Sequence, residues 1–335
     1  MFVLFGLCVL SVCISESGSK NLEMVQFRKF TQQFKKNYKS IQEYEYRLSV
    51  FISNMKEAER LQREELGTAQ YGVTKFSDLT AEEFRSNSLD SSFLMKLPQI
   101  KQDTEGTSFP LDRDWRKCGV ISKVKDQGSC GSCWAFAVVG NIEAQWGIHG
   151  FPKNLSVQQI IDCGPCEDGC RGGYPWDAYI TVLKQEGLTS EQQYKYTGTV
   201  GECRKGLPTE AWIHDFQMLS KNETEMTSYV GNKGTITVTI NNAILQHYKK
   251  GIIHSLQKAC DPNNVNHVVL IVGYVQEKKI PYWILKNSYG TNWGEKGYFK
   301  IFRGKNICGI TKYPVTATIN FHASKKTLCS TGGSK

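Results

Sequence analysis

The sequence predicts an α+β protein of two lobes, preceded by a separate helical segment at its N-terminus. Three observations point there. A charged, proline-free stretch over about residues 22–66 carries a helical stripe; dense apolar runs of helix length follow Pro110; and strand-length alternation takes over after Glu210. Helices gathered ahead of strands, with no βαβ alternation, indicate α+β architecture. At 335 residues the chain can hold two domains, or one enzyme and a removable segment. With 40% hydrophobic and 22% charged residues it is neither disordered nor fibrous. The net charge is +9 without a long Lys/Arg block, which reads as a solvated basic surface and gives no expectation of nucleic-acid binding.

The chain opens with MFVLFGLCVLSVCIS, an apolar block too short to span a bilayer and followed by small polar residues. It reads as a signal peptide, residues 1–17, cut near Ser15–Ser17. No other segment is apolar enough for a membrane helix, so the expected product is a soluble protein of the secretory pathway. Disulfides are permitted on that route. Of twelve cysteines, Cys8 and Cys13 leave with the leader and ten remain. The sequons at Asn154 and Asn222 fit a glycosylated product.

Over residues 22–66 the helix is expected to end at Gly67. Glu43, Arg47, Phe51, Asn54, Ala58 and Gln62 fall on one slowly drifting helical stripe, and Glu43 with Arg47 suits an i,i+4 ion pair. The alternation Tyr71, Val73, Lys75 suggests a short strand, with Asp78 or Thr80 capping a helix at Ala81–Phe84. Residues 86–108 lose periodicity and read as an exposed linker. Cys133–Gly147 is nearly all apolar or small, hence a buried helix with Ser132 as N-cap, and Gly140 inside it hints at close packing. Two further helices are expected at Ser156–Cys163 and Pro175–Gln185. Strands are expected at 234–240, 266–275, 282–287 and 297–302. The Lys/Ser/Gly tail 323–335 reads as disordered.

The stretch QGSCGSCWAF, residues 127–136, poses the chemical question. A cysteine nucleophile must be a thiolate, and a helix N-terminus favours that charge. Cys133 stands at a predicted helix start; Cys130 lies in the preceding Gly/Ser turn. The pair is therefore not symmetric. Amide cleavage also needs an acid for the leaving amine and a group to orient it. Of six histidines, only His267 begins a strongly apolar strand. The following strand, YWILKN, ends at Asn287, and the midpoint between His267 and Asn287 is Glu277, inside the polar loop 276–279. A hairpin folded there brings His267 and Asn287 together. His149, His214, His247, His254 and His322 are read as core or surface residues.

CGSCW at 130–134, with His267 and Asn287 about 130–150 residues downstream, resembles the papain-like cysteine peptidase family (C1), over about residues 22–320. The stripe from Glu43 to Gln62, together with CGPCEDGCRGGYPWDAYITVL, AWIHDFQML, PYWILKNS and CGITKYP, resembles the cathepsin F/W subgroup. The resemblance implies a papain-like two-lobe fold: a helical left domain, an antiparallel β-barrel-like right domain and an N-terminal helical inhibitory prosegment. It implies a propeptide over 18–108, removed near residues 105–110, and a peptidase over 109–322. Cys133 resembles the nucleophile, His267 the acid/base, Asn287 its orienter and Gln127 the side-chain donor of the oxyanion hole. Three disulfides are implied, Cys130–Cys170, Cys163–Cys203 and Cys260–Cys308. Cys118–Cys166 is a candidate fourth, and Cys329 in the tail could link chains or stay free. The implied partners are peptide substrates, the protein's own propeptide and cystatin-like inhibitors, on a monomer with no cofactor and no metal. Compartments in keeping with this are the lysosome first, then endoplasmic reticulum, granule or extracellular space.

By the same resemblance Gly172 and Gly173 let a peptide lie extended in the cleft, while Tyr174, Pro175, Thr239, Val268 and Tyr313 line the S2 pocket. A hydrophobic or aromatic P2 residue is expected, and endopeptidase action, because no large insertion interrupts 163–173. Two positions depart from the family pattern. Tyr289 stands where Trp is usual and shields the Asn–His bond, and Asn266 stands before His267 where Asp is frequent; both point to reduced activity or a shifted pH window. Two other functions compete with this one: a catalytically weak or inactive homologue that binds peptides, and a thiol oxidoreductase using Cys130 and Cys133. The run Cys163-x2-Cys166-x3-Cys170 is a poor zinc site, since its would-be partner pair is committed to the turn before the helix.

Overall fold

The computed structural model describes residues 22–86, 108–165, 168–255, 258–276 and 279–320. The leader, most of the linker, Cys166 and the tail from residue 321, with Cys329, lie outside the described residues.

The N-terminal segment forms two helices rather than one: α1 (22–33) and α2 (Ile41–Glu64). The break follows from two local features. Lys35 adopts a left-handed φ of 51°, and Ser40 caps α2 by accepting the N–H of Glu43. The turn folds α1 back so that Phe27 and Phe30 meet Phe51 of α2, a small aromatic core with Tyr38 and Tyr44 at its edge. The Glu43–Arg47 pair is not made. Glu43 accepts the N–H of Lys39, while Arg47 reaches across to Glu83 at 2.7 Å and to the Asp78 carbonyl. Asn54 is buried and donates to the carbonyls of Ser77 and Leu79. The strand after α2 is only β1 (Gln70–Tyr71). Thr80, not Asp78, caps α3 (Ala81–Ser86): Thr80 and Glu83 exchange side-chain-to-backbone bonds.

In the helical lobe, α4 (Cys133–Ile148) is buried along its whole length, packed by α5 (Gln158–Cys163) and α6 (Pro175–Lys184). An added Cβ at Gly140 would stand 3.3 Å from Leu270, so glycine here is a packing requirement between helix and sheet. Ser132 precedes α4 without capping it; its hydroxyl bonds the Tyr196 hydroxyl at 2.9 Å.

The second lobe is an eight-stranded sheet joined by α7 (Glu223–Asn232). Its strands are β2 (Asp112–Asp114), β3 (Asp215–Met218), β4 (Ile236–Ile240), β6 (Ile252–Ile253), β7 (His267–Val275), β8 (Tyr282–Lys286), β9 (Tyr298–Phe302) and β10 (Val315–Thr318), in the order β3-β10-β4-β7-β8-β9-β6 with β2 also on β7. All pairs are antiparallel except β6–β9. A separate two-stranded sheet pairs Tyr248–Lys250 (β5) with β1 of the N-terminal segment. Backbone meets backbone closely there. A Cβ at Gly67 would fall 2.3 Å from the Ile252 carbonyl oxygen, and one at Gly251 would fall 2.1 Å from that of Thr68.

The β7–β8 hairpin forms, but with a shifted register. Val275 faces Tyr282 and Leu270 faces Lys286, with a bulge between Ile271 and Gly273. His267 therefore lies beyond the last ladder pair, diagonal to Asn287 rather than opposite it.

Candidate active site

Three segments converge on the mouth of α4. The first is the turn from Gln127 to Ser132. Cys130 is tied to Cys170 by a disulfide, and the Gly131 N–H donates to the Cys170 carbonyl at 2.6 Å. A Cβ at Gly131 would stand 2.5 Å from that oxygen, so the turn needs glycine. Cys133 is the free thiol among the described residues, and it is fully buried. With Cys130 in a disulfide, the two cysteines are not a dithiol pair, and the oxidoreductase reading falls.

The second segment is the start of β7, where His267 is fully buried. The third is the end of β8. His267 Nε2 lies 2.8 Å from Asn287 Oδ1. That oxygen also accepts the Ser288 N–H at 2.8 Å, so it is the acceptor and Nε2 carries the proton. Nδ1 is buried and without a hydrogen-bond partner. Burial pushes His267 down to about 4. Burial also pushes the Cys133 thiol up to about 12, against the N–H groups of Val268, Trp134 and Cys133 itself, which favour the thiolate. Both shifts favour the neutral forms.

Gln127 is buried beside them. Its Nε2 donates to the Cys130 carbonyl at 2.9 Å, and its Oε1 accepts the Ser288 hydroxyl at 2.6 Å. Tyr196 donates to its backbone carbonyl. Tyr289 covers the histidine: the two rings stack at 4.9 Å, with Trp293 against Tyr289 at 5.3 Å.

Tyr174 stacks on Trp176 at 4.5 Å, and Trp176 meets Tyr313 edge-on at 5.6 Å. Thr239 pairs with Val268 across β4 and β7, and Tyr313 packs on the cluster that contains Val268. Pro175 starts α6, Gly172 has a φ of 120°, and a Cβ at Gly173 would strike the Trp134 ring at 2.6 Å. Trp176, Ser288 and Tyr196 were missed in the sequence. Ser288 adjoins Asn287 and could have been found by proximity; Trp176 and Tyr196 carry no local signal.

Cys163–Cys203 and Cys260–Cys308 are also disulfides, and Cys118 is disulfide-bonded, with its suggested partner Cys166 outside the described residues. Asn154 and Asn222 are both exposed. Asn222 caps α7 through its side-chain oxygen, which leaves Nδ2, the atom a glycan would take, uncommitted to the cap. No helix among the described residues is long and apolar enough to cross a membrane, and no cluster of His, Cys, Asp or Glu among them is arranged for a metal.

Comparison with known proteins agrees with this geometry. The papain family cysteine protease pattern matches residues 109–318, and the cathepsin propeptide inhibitor domain (I29) pattern matches residues 27–84. The chain is similar to cathepsin W of Mus musculus, 44% identical over 95% of this chain and 94% of that protein. It is similar to cathepsin F of the same species, 40% identical over 88% of this chain and 64% of that protein. A recombinant stem bromelain precursor superposes with a TM-score of 0.80 at 30% identity, covering 89% of this chain and 99% of that one. The fold, a buried free cysteine at a helix mouth and these matches lead to one conclusion: the chain belongs to the papain family of cysteine proteases, as a cysteine-type endopeptidase carrying its own cathepsin-type propeptide.

Proposed function

We propose that this proenzyme hydrolyses peptide bonds through Cys133, His267 and Asn287, with Gln127 assisting, once its propeptide is removed. The observation that supports this most is the bond from His267 Nε2 to Asn287 Oδ1, which leaves Nδ1 without a hydrogen-bond partner, on the strand whose next residue, Val268, bonds the Cys133 thiol through its backbone. When the site opens, Cys133 passes its proton to Nδ1, and water solvates the resulting charge pair. The thiolate sulfur attacks the substrate carbonyl carbon. The oxyanion is received by the Cys133 N–H and Gln127 Nε2, the latter turning from the Cys130 carbonyl. The C–N bond breaks as Nδ1–H protonates the amine. Water, deprotonated by Nδ1, then hydrolyses the thioester and restores the thiol. Asn287, being neutral, holds the imidazole without cancelling its positive charge.

The aromatic row Tyr174, Trp176 and Tyr313, with apolar Val268, supports a hydrophobic or aromatic preference at P2. We further read the chain as signal peptide 1–17, propeptide 18–108, peptidase 109–322 and tail 323–335. The product would be a monomer glycosylated at Asn154 and Asn222, delivered through the secretory pathway with the lysosome as first destination, and sensitive to cystatin-like inhibitors. The test is activation at acid pH, labelling with an epoxide-type thiol probe and peptide mapping. Label on Cys133, loss of peptide cleavage on labelling and an inert Cys133→Ser variant are expected. No labelling and no turnover would leave a peptide-binding homologue as the better reading, and a P2 profile led by Arg would overturn the specificity.

A further inference from the structure

The two residues that depart from the family pattern around the histidine, Asn266 and Tyr289, are joined by a third. Asn242 is fully buried just beyond the end of β4. Its backbone N–H donates to Asn266 Oδ1 at 3.0 Å, and its Nδ2 donates to the Tyr289 hydroxyl at 3.2 Å. Asn266 in turn donates its backbone N–H to the Ile240 carbonyl at 2.9 Å, and Ile240 faces His267 in the β4–β7 ladder. Tyr289 closes the ring by stacking on His267 with 27° between the planes. The imidazole is thus enclosed by a path that leaves its own strand at Asn266 and returns as a ring over its face.

We propose that Asn242 is a positioning residue for His267, acting through the Tyr289 hydroxyl. A phenol oxygen buried to this depth needs a donor in place of water, or the ring tilts to find one. Asn242 supplies the partner from the rigid end of β4, so the ring stays flat on the imidazole and covers the bond from Nε2 to Asn287. The other supports of Tyr289 are apolar edges. Trp293 belongs to the peptidase, whereas Phe76 and Phe84, at 5.0 and 6.0 Å, belong to the propeptide and leave with it. The tether therefore matters more in the mature enzyme than in the proenzyme. This inference rests on the catalytic reading above, in that Asn242 serves a proton-transferring His267.

Two arms test it. In the Cys133→Ser peptidase, 15N-labelled at histidine and freed of its propeptide by an added protease, the Nε2–H proton of His267 should exchange slowly, and Asn242→Ala should speed that exchange about tenfold. This arm needs no turnover, so it stays readable even if the chain proves catalytically silent. In the mature enzyme, Asn242→Ala and Tyr289→Phe should each lower kcat about tenfold with KM within about twofold, and the double variant should be no worse than either, because both delete one bond. Tyr289→Phe removes only the hydroxyl and carries both arms if Asn242→Ala does not fold. Unchanged exchange, a loss confined to KM, or additive losses in the double variant would overturn the proposal. Slow exchange in the tethered protein with no turnover in any mature form would uphold the tether and reject the catalytic reading instead.

Discussion

Phe76 of the propeptide meets Tyr289 of the peptidase edge to face, with ring centroids 5.0 Å apart. The propeptide thus anchors on the same ring that covers His267. Around this contact the Phe76 and Leu79 carbonyls accept from Gln246, and Lys75 pairs with Asp126 at 2.7 Å. The exposed ion pair adds little by itself, so the aromatic contact should dominate.

Phe76→Ala should weaken docking of the propeptide by about 1–2 kcal/mol, less than full burial of such a ring is worth, because Phe76 is only half-buried. The variant proenzyme should process itself at a higher pH than wild type. A gel time course across pH checks this; an unchanged threshold would place the anchor elsewhere.

Asn54→Ala should strip partners from the Ser77 and Leu79 carbonyls, to which the buried amide donates at 2.9 and 2.7 Å. The expected cost is about 1–3 kcal/mol, confined to the propeptide. Hydrogen exchange should rise in residues 41–84 and stay unchanged in β7 and β8.

His247 should make docking pH-dependent. It is buried in the segment the propeptide crosses, where its carbonyl accepts the Gly72 N–H at 2.9 Å. Burial pushes its imidazole down to about 4, while Glu57 on α2 pulls the other way. Once the propeptide departs and water reaches the ring, its value should return toward about 6.5. The docked state favours the neutral form. Its contribution is therefore full above about pH 6.5 and is lost as pH falls toward 4, by at most about 3 kcal/mol. His247→Phe should flatten the pH dependence of processing between those values; an unaltered profile would refute the role.

Gln127→Ala in the mature enzyme should lower kcat by about 10²–10³ with little change in KM, the usual loss for one oxyanion donor. Because Gln127 also accepts the Ser288 hydroxyl at 2.6 Å, a melting curve should accompany the kinetics. A loss of kcat in a variant that melts like wild type separates catalysis from packing.

Much of the site was legible because its signals are local. Cys133 is marked by the apolar helix that starts with it, and His267 and Asn287 by strand length and a polar loop between them. The errors are instructive. Counting to a midpoint places His267 opposite Asn287, but the ladder already pairs Val275 with Tyr282, and the bulge between Ile271 and Gly273 recovers only part of that offset, so the side chains meet diagonally. Ion-pair spacing assigns Arg47 to Glu43, yet α3 brings Glu83 to it instead. The long helix over 22–66 breaks because Phe27 and Phe30 gain more by folding onto Phe51 than by continuing the rod.

The sequence by itself determined the α+β class, the helix mouth at Cys133, the asymmetry of the two turn cysteines and the histidine strand. Each depends on periodicity or neighbours within one element. Only the tertiary structure decided that Asn242 holds Tyr289, that Trp176 joins Tyr174 to Tyr313, and that Phe76 rests on the ring above His267. Apart from the neighbouring pair Tyr174 and Trp176, those contacts link residues on different elements, and their partners are selected by sheet register and aromatic packing, which no local spacing encodes.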